Sequence, residues 1–193
     1  DDFNLAVTNK TYRLIKTTKE LILDDSKIKS LIDLSATVLK IIDGYYMDIS
    51  SGSGYPASAL SNFSPHPFEI DGVQCNSMEG FLQALKFESV EMQKYVCTLV
   101  GKAAKFKGKK KKWYKKQELY WNGNTYKRDS EEYKNLLNRA YNRLYTNEKF
   151  RKALEATNGS NIEHSIGKTK QSETVLTKQE FCSRLMYLRD HGK

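Results

Sequence analysis

The sequence predicts a helix-dominated α+β fold, a single domain with a small sheet, and three observations carry that reading. Five segments from Ser77 onward keep apolar residues at helical spacing, and three of them open on a capping-box pattern. Only short apolar stretches bounded by turn residues read as strands. With 193 residues, the chain is long enough for one domain that buries about two-thirds or more of its unfolded surface.

Taken in order, residues 3–15, FNLAVTNKTYRLI, alternate well enough for a hairpin about Asn9. From Ser26 to Ile42, the apolar residues Ile28, Leu31, Ile32, Val38, Leu39 and Ile42 keep helical spacing, with Gly44 as the C-terminal cap. Residues 1–44 thus read as an N-terminal extension packed on a domain spanning 45–193. A Gly-, Ser- and Pro-rich stretch follows, with short strands expected at Tyr45 to Ile49 and Pro67 to Ile70 and a turn at Asp71-Gly72. Its Tyr55, Leu60, Phe63 and Phe68 are residues a disordered linker rarely keeps, so the loop is expected to be ordered. The expected helices are Ser77 to Glu88, Val90 to Phe106, Asp129 to Tyr145, Asn147 to Ala156 and Lys178 to Arg189. Asn76-x-x-Glu79, Asp129-x-x-Glu132 and Thr177-x-x-Glu180 are their capping boxes.

Composition narrows the function classes. With 39 % hydrophobic and 28 % charged residues, no apolar run approaches the roughly 18 residues of a membrane span. Cys75, Cys97 and Cys182 stand far apart without a C-x-x-C, and only His66, His164 and His191 accompany them, which argues against a disulfide framework or a metal centre. No cofactor is called for. Isolated thiols and the lack of a basic-then-apolar leader fit a reducing, cytoplasmic setting. The net charge of +9 is concentrated, because residues 101–128 hold eleven Lys or Arg against the single acid Glu118, so an anionic partner is expected.

The chemistry centres on NSMEGFLQALKF, Asn76 to Phe87. On a helix, Glu79, Gln83 and Lys86 fall on one stripe, with Phe81, Ala84 and Leu85 pointing away. Periodicity leaves two readings open: a capping glutamate beside two solvated side chains, or the floor of a site roofed by the preceding aromatic loop. In the second reading, the carboxyl transfers protons and a desolvated lysine attacks a sugar's anomeric carbon to form an imine. Alternatively, Glu79 activates water and Lys86 only supplies charge.

The longer run LSNFSPHPFEIDGVQCNSMEGFLQALKF, Leu60 to Phe87, resembles the signature of the NADAR family. The family pattern is an L-S-N-F segment, I-D-G, then T-x-E-x-x-x-Q-A-x-K-F. It is matched at Leu60, Ser61, Asn62, Phe63, Ile70, Asp71, Gly72, Glu79, Gln83, Ala84, Lys86 and Phe87. The likeness extends more loosely over about residues 45–190. Cys75 stands where a tryptophan is usual, and Thr169 to Phe181 replaces a D-x-x-W-G element. HSIGK, ETVLT and EFC resemble a bacterial branch. The resemblance implies a NADAR-like fold and an N-glycosidase that removes ADP-ribose from a modified nucleobase such as guanine in DNA. It equally admits cleavage of phosphorylated riboflavin-pathway intermediates. It implies Glu79 and Lys86 as catalytic, Asn62 and Phe63 against ribose or base, and Gln83 as a further substrate contact. Glu163 and His164 sit where the family has a similar pair, with a buried, hydrogen-bonded role expected for His164. A module that binds ADP-ribose or nucleic acid without cleavage is the rival, and the intact Glu79 and Lys86 pair argues against it.

KFKGKKKKWYKK, Lys105 to Lys116, interleaves aromatics with dense charge. Lys109, Lys110, Lys111, Lys112 and Trp113 are therefore candidates for nucleic-acid contact, the lysines on phosphates and the ring on a base. In YWNGNTYKRDSEEY, Trp121 is a candidate for stacking and Arg128 for a phosphate clamp. Lys168, Lys170 and Glu173 lie in the divergent loop and are expected to shape specificity.

Overall fold

The computed structural model describes residues 46–157 and 159–192. The hairpin expected at 3–15, the helix at 26–42 with Gly44, and the boundary at 44/45 lie outside the described residues. Within them the fold is α+β. The helices are α1 (Ala57–Leu60), α2 (Met78–Ala84), α3 (Val90–Cys97), α4 (Gly101–Lys109), α5 (Glu131–Tyr145), α6 (Glu148–Glu155) and α7 (Lys178–His191). The strands are β1 (Tyr46–Asp48), β2 (Phe68–Ile70), β3 (Val73–Cys75), β4 (Glu118–Trp121), β5 (Asn124–Lys127) and β6 (Asn161–Glu163).

The expected small sheet is in fact three separate pairs among the described residues. Two are hairpins: β2 with β3 about Asp71-Gly72, and β4 with β5 about Asn122-Gly123. Both turn residues have positive φ in each hairpin, 51° and 75° in the first and 49° and 83° in the second, as a two-residue turn needs to match strand twist. The Asn-Gly pair is a strong hairpin signal, and it makes YWNGNTYK a ribbon rather than a binding loop. In the third pair, β1 runs parallel to β6, with Tyr46 opposite Asn161 and Asp48 opposite Glu163. That pairing is between residues more than a hundred apart and leaves no local signature.

Helix α2 is the centre of the core, with all seven of its residues buried. Phe81 stands edge-on to Phe68 and to Trp121, with ring centroids 6.2 and 4.8 Å apart. A Cβ on Gly80 would come within 2.7 Å of the Leu99 carbonyl, so only glycine lets α2 approach the α3–α4 connection this closely. That approach also explains why the helix expected over Val90 to Phe106 is two helices. The Cys97, Thr98 and Leu99 carbonyls accept from Asn76 N–H, Asn76 Nδ2 and Ser77 Oγ, at 2.8, 2.9 and 3.0 Å. Those carbonyls are lost to the helix ladder, and the chain restarts at Gly101 with φ of +54°. Likewise α2 stops at Ala84 rather than Glu88, because Tyr120 of β4 donates its N–H to the Leu85 carbonyl at 2.8 Å.

Of the three expected capping boxes, only that of α7 forms, with Thr177 and Glu180 bonding reciprocally. Ser77 and Ser130 are the caps at the other two helices, one residue beyond the expected Asn76 and Asp129. Glu180 does more than cap. Its carboxylate receives both Arg128 terminal nitrogens, at 3.1 and 2.6 Å, while Arg128 Nε donates to the Thr174 carbonyl at 2.7 Å. Burial opposes charge on Glu180, yet the Arg128 guanidinium and the Thr177 N–H hold its carboxyl below the usual range. This pair ties the strand β5 end, the 171–177 loop and α7 together. Removing one partner leaves the other charge poorly solvated, so Arg128→Ala should cost about 3–5 kcal/mol in urea unfolding at neutral pH. Because the Glu180 carboxyl is depressed, its share of stability is present above the unfolded carboxylate range and fades as pH falls through the folded value. The gap between wild type and variant should narrow in acid accordingly.

Candidate functional site

A cleft of about 480 Å³ opens against α2, and Asn62, Phe63, Glu79, Gln83 and Lys86 all line it. The stripe on α2 is therefore not a solvated face: Glu79 and Gln83 are only 8 % and 7 % exposed. The three side chains form one hydrogen-bonded line. Gln83 Nε2 donates to Glu79 Oε1 at 2.9 Å, and Lys86 Nζ donates to Gln83 Oε1 at 2.6 Å. One amide thus fixes a carboxyl at one end and an amine at the other, with its donor and acceptor ends assigned by what each must meet. The helix ends before Lys86, but a tight turn, with Lys86 N–H on the Gln83 carbonyl, keeps the lysine in register.

Burial moves both ionisable groups toward neutrality. Loss of solvent raises the Glu79 carboxyl above its ordinary range, against the Gln83 hydrogen bond and the charges of Lys105 and Lys86. It also brings the Lys86 amine down to about 8, with Glu79 opposing and Lys105 assisting. At neutral pH, roughly a tenth of Lys86 is then a free amine, far more than for an exposed lysine. A carboxyl shifted toward holding its proton and an amine shifted toward shedding one is the pairing needed for leaving-group protonation and attack on carbon.

Three supports hold the line. Glu79 N–H donates to the Asn62 carbonyl at 2.8 Å, stitching the roof loop to the start of α2. Tyr141 of α5 donates its hydroxyl to Asn62 Oδ1 at 2.9 Å, which leaves the amide nitrogen of Asn62 as the donor for a ligand. Gly108 of α4 has no side chain where a Cβ would fall on Gln83 Oε1.

Lys105 and Trp113 also line the cleft, the first with its ammonium 5.4 Å from the Phe63 ring centre. Sequence patterning gives Lys105 no distinction from its neighbours in the basic run. The fold singles it out by facing α4 toward α2. His164 also lines the cleft and is half-buried rather than enclosed, its Nδ1 2.7 Å from the Ile49 carbonyl. Lys168 and Glu173, 3.7 Å apart, edge the same opening, as does the Val175 to Thr177 segment.

Other expected contacts lie elsewhere. Trp121 is a core residue whose Nε1 donates to Asp71 Oδ2 at 2.9 Å. Arg128 is 1 % exposed with its donors spent on Glu180 and Thr174, so it offers nothing to a phosphate. Glu163 follows the alternation of β6, which turns Ile162 inward and Glu163 outward, and it does not line the cleft. Lys109 to Lys112 are exposed and outside the cleft, Lys111 lying 4.4 Å over the Phe87 ring. The cysteines are buried and free. Among the described residues, no group of three His, Cys, Asp or Glu is placed to hold a metal, and no helix is long and apolar enough to cross a membrane.

Residues 54–190 match the family model described as bacteriophage protein GP30.3. A 17.1 kDa protein from the Gp30–rIII intergenic region of Enterobacteria phage T4 is 39 % identical over 150 residues, 75 % of this chain and 97 % of its own length. The NMR structure of the E. coli protein YbiA, a NADAR-family protein, has a TM-score of 0.52 at 17 % identity, over 76 % of this chain and 84 % of YbiA. The NADAR-like fold expected from Leu60 to Phe87 is thereby borne out.

Two substitutions test the geometry. A lowered lysine pKa means the folded state binds Lys86 charge poorly, a cost of about 3 kcal/mol from the shift to about 8. Lys86→Met should therefore raise stability at pH 7, by about 1–3 kcal/mol in urea unfolding, and the gain should shrink as pH rises from 8 toward 10.5. Gly108→Ala should leave the chain folded but about 1–3 kcal/mol less stable in urea unfolding, since a helix-propensity gain of about 1 kcal/mol does not cover the buried hydrogen bonds lost when the new Cβ displaces the Gln83 amide. It should still disturb ligand binding and turnover, because the Glu79 and Lys86 ends lose their shared amide.

Proposed function

Because this chain belongs to the bacteriophage protein GP30.3 family and sets an acid, an amide and an amine in line along one cleft, we propose that it is an N-glycosidase. The substrate in this reading is a nucleobase carrying ADP-ribose, with ADP-ribosylated guanine in DNA the best fit. The observation that carries the proposal is the Glu79–Gln83–Lys86 line with its two ends shifted toward neutrality. Protonated Glu79 gives its proton to the departing base, and neutral Lys86 attacks the anomeric carbon of the opened sugar to form an imine. Asn62 Nδ2 and the Phe63 ring meet the ribose or base.

The surface beside the cleft favours a polyanionic substrate over a small metabolite. Residues 102–116 hold nine lysines and no acid, and none of these lysines is in an ion pair among the described residues. Phe106 and Tyr114 stand 62 % and 50 % exposed among them, as rings available to unstacked bases. Lys105 and Trp113 join that ridge to the cleft.

Incubation with an ADP-ribosylated oligonucleotide should release free ADP-ribose and restore the base, read by mass spectrometry. Intact oligonucleotide together with cleavage of a ribosylamino-pyrimidine phosphate would assign the riboflavin-intermediate activity instead. Calorimetric binding of ADP-ribose without turnover on either substrate would assign a reader. Lys86→Arg keeps charge but cannot form the imine, so turnover should fall about 10³-fold or more while product binding persists, and borohydride should trap a mass adduct on wild-type Lys86. The free amine is the active form, so imine formation should rise as pH passes through about 8, and Lys105→Gln should move that rise to higher pH. Replacing Lys109 to Lys112 with Gln should flatten the salt dependence of oligonucleotide binding by about 0.7 in log–log slope for each phosphate no longer neutralised.

A further inference from the structure

Hydrolysis through a lysine imine needs a base for the incoming water, and the one carboxyl of α2 in the line, Glu79, has its Oε1 held by the Gln83 amide. Burial favours Glu79 taking back the proton it gave to the departing base, and Lys86 has committed its lone pair to carbon. We propose that His164 is that base. The assignment rests on the N-glycosidase reading and adds to it a residue from another part of the fold.

The imidazole is held in one orientation with one nitrogen free. Its Nδ1 lies 2.7 Å from the Ile49 carbonyl, which only accepts, so Nδ1 carries the hydrogen and Nε2 of the neutral ring keeps its lone pair. Phe181 stands edge-on to the ring, with centroids 5.3 Å apart and planes at 79°. On another side the chain turns back so tightly that a Cβ on Gly167 would come within 2.6 Å of His164 Cδ2. Nε2 has no hydrogen-bond partner among the described residues, and the ring lines the same cleft as Glu79 and Lys86. Asp48 lies close enough to interact with the ring, but its carboxylate is taken by the Ser165 N–H at 2.8 Å and Oγ at 2.6 Å. It therefore leaves the imidazole tautomer to the Ile49 carbonyl.

The step balances as follows. A water O–H bond breaks and its proton goes to His164 Nε2. The oxygen bonds to the anomeric carbon of the protonated imine, whose second C–N pair moves onto the Lys86 nitrogen. His164 returns the proton to that nitrogen, and the remaining C–N bond breaks with its pair left on the neutral amine. The new hydroxyl loses its proton to solvent as the sugar aldehyde forms. One water is consumed and one proton is released per protonated imine.

His164→Asn separates this role from a structural one, since its side-chain amide keeps a donor for the Ile49 carbonyl but has no group at the Nε2 position. Steady-state turnover on the ADP-ribosylated oligonucleotide should fall about 10²-fold or more, the lower range for a lost general base. Thermal unfolding should stay near that of wild type, and a first-turnover burst of base release should persist. Because the imine forms but drains slowly, borohydride should trap more adduct on Lys86 than in wild type. Turnover within about threefold of wild type, or loss of the burst together with turnover, would overturn the assignment. A wild type that releases no base overturns the glycosidase reading, and this assignment with it.

Discussion

Taking a carboxyl and an amine out of water on one short helix and the turn that follows it is the constraint from which the rest of this structure follows. Neither group tolerates burial alone, and a direct ion pair would restore the charge that makes each ordinary. The Gln83 amide resolves this by standing between them, accepting from the amine and donating to the carboxyl. The arrangement needs room for that amide, which Gly108 leaves open, and a helix packed hard enough to hold it, which Gly80 allows. Two glycines on neighbouring helices thus serve the site through what they lack.

The surrounding fold fixes the second wall of the cleft. The Arg128 and Glu180 pair, the α7 capping box and the Thr174 carbonyl form one network, and the Val175 to Thr177 segment it anchors lines the opening. The parallel pairing of β1 with β6 brings Ile49 to His164 and Asp48 to Ser165. These are contacts across more than a hundred residues, each satisfying a polar group that would otherwise be unmet at the edge of the core. The cleft therefore has one wall built from a local helix and another assembled from distant segments.

Charge is partitioned in the same spirit. Where lysines elsewhere pair, as Lys127 with Glu118, Lys134 with Glu131 and Lys152 with Glu148, those from 102 to 116 pair with no acid among the described residues. Several instead lie over rings, Lys105 on Phe63, Lys107 on Tyr95, Lys109 on Phe106 and Lys111 on Phe87, at 4.4 to 5.7 Å from the ring centres. Such contacts orient the side chains without neutralising them, so the positive field remains outside and, through Lys105, reaches into the cleft.

The sequence by itself determined what depends on neighbours along the chain: the Asp71-Gly72 turn, the α5, α6 and α7 helices with ends within a few residues, and the common stripe of Glu79, Gln83 and Lys86. A helix repeat places residues on one face regardless of what lies opposite, which is why that stripe was legible. What covers a face is not encoded in its period. Only the tertiary structure decided that the stripe is buried, that tertiary hydrogen bonds break the 90–106 helix, and that Arg128 and Trp121 belong to the framework. The same holds for Lys105 and His164, whose entry into the cleft depends on how α4 meets α2 and how β6 meets β1, and pairings across such separations leave no pattern in the residues themselves.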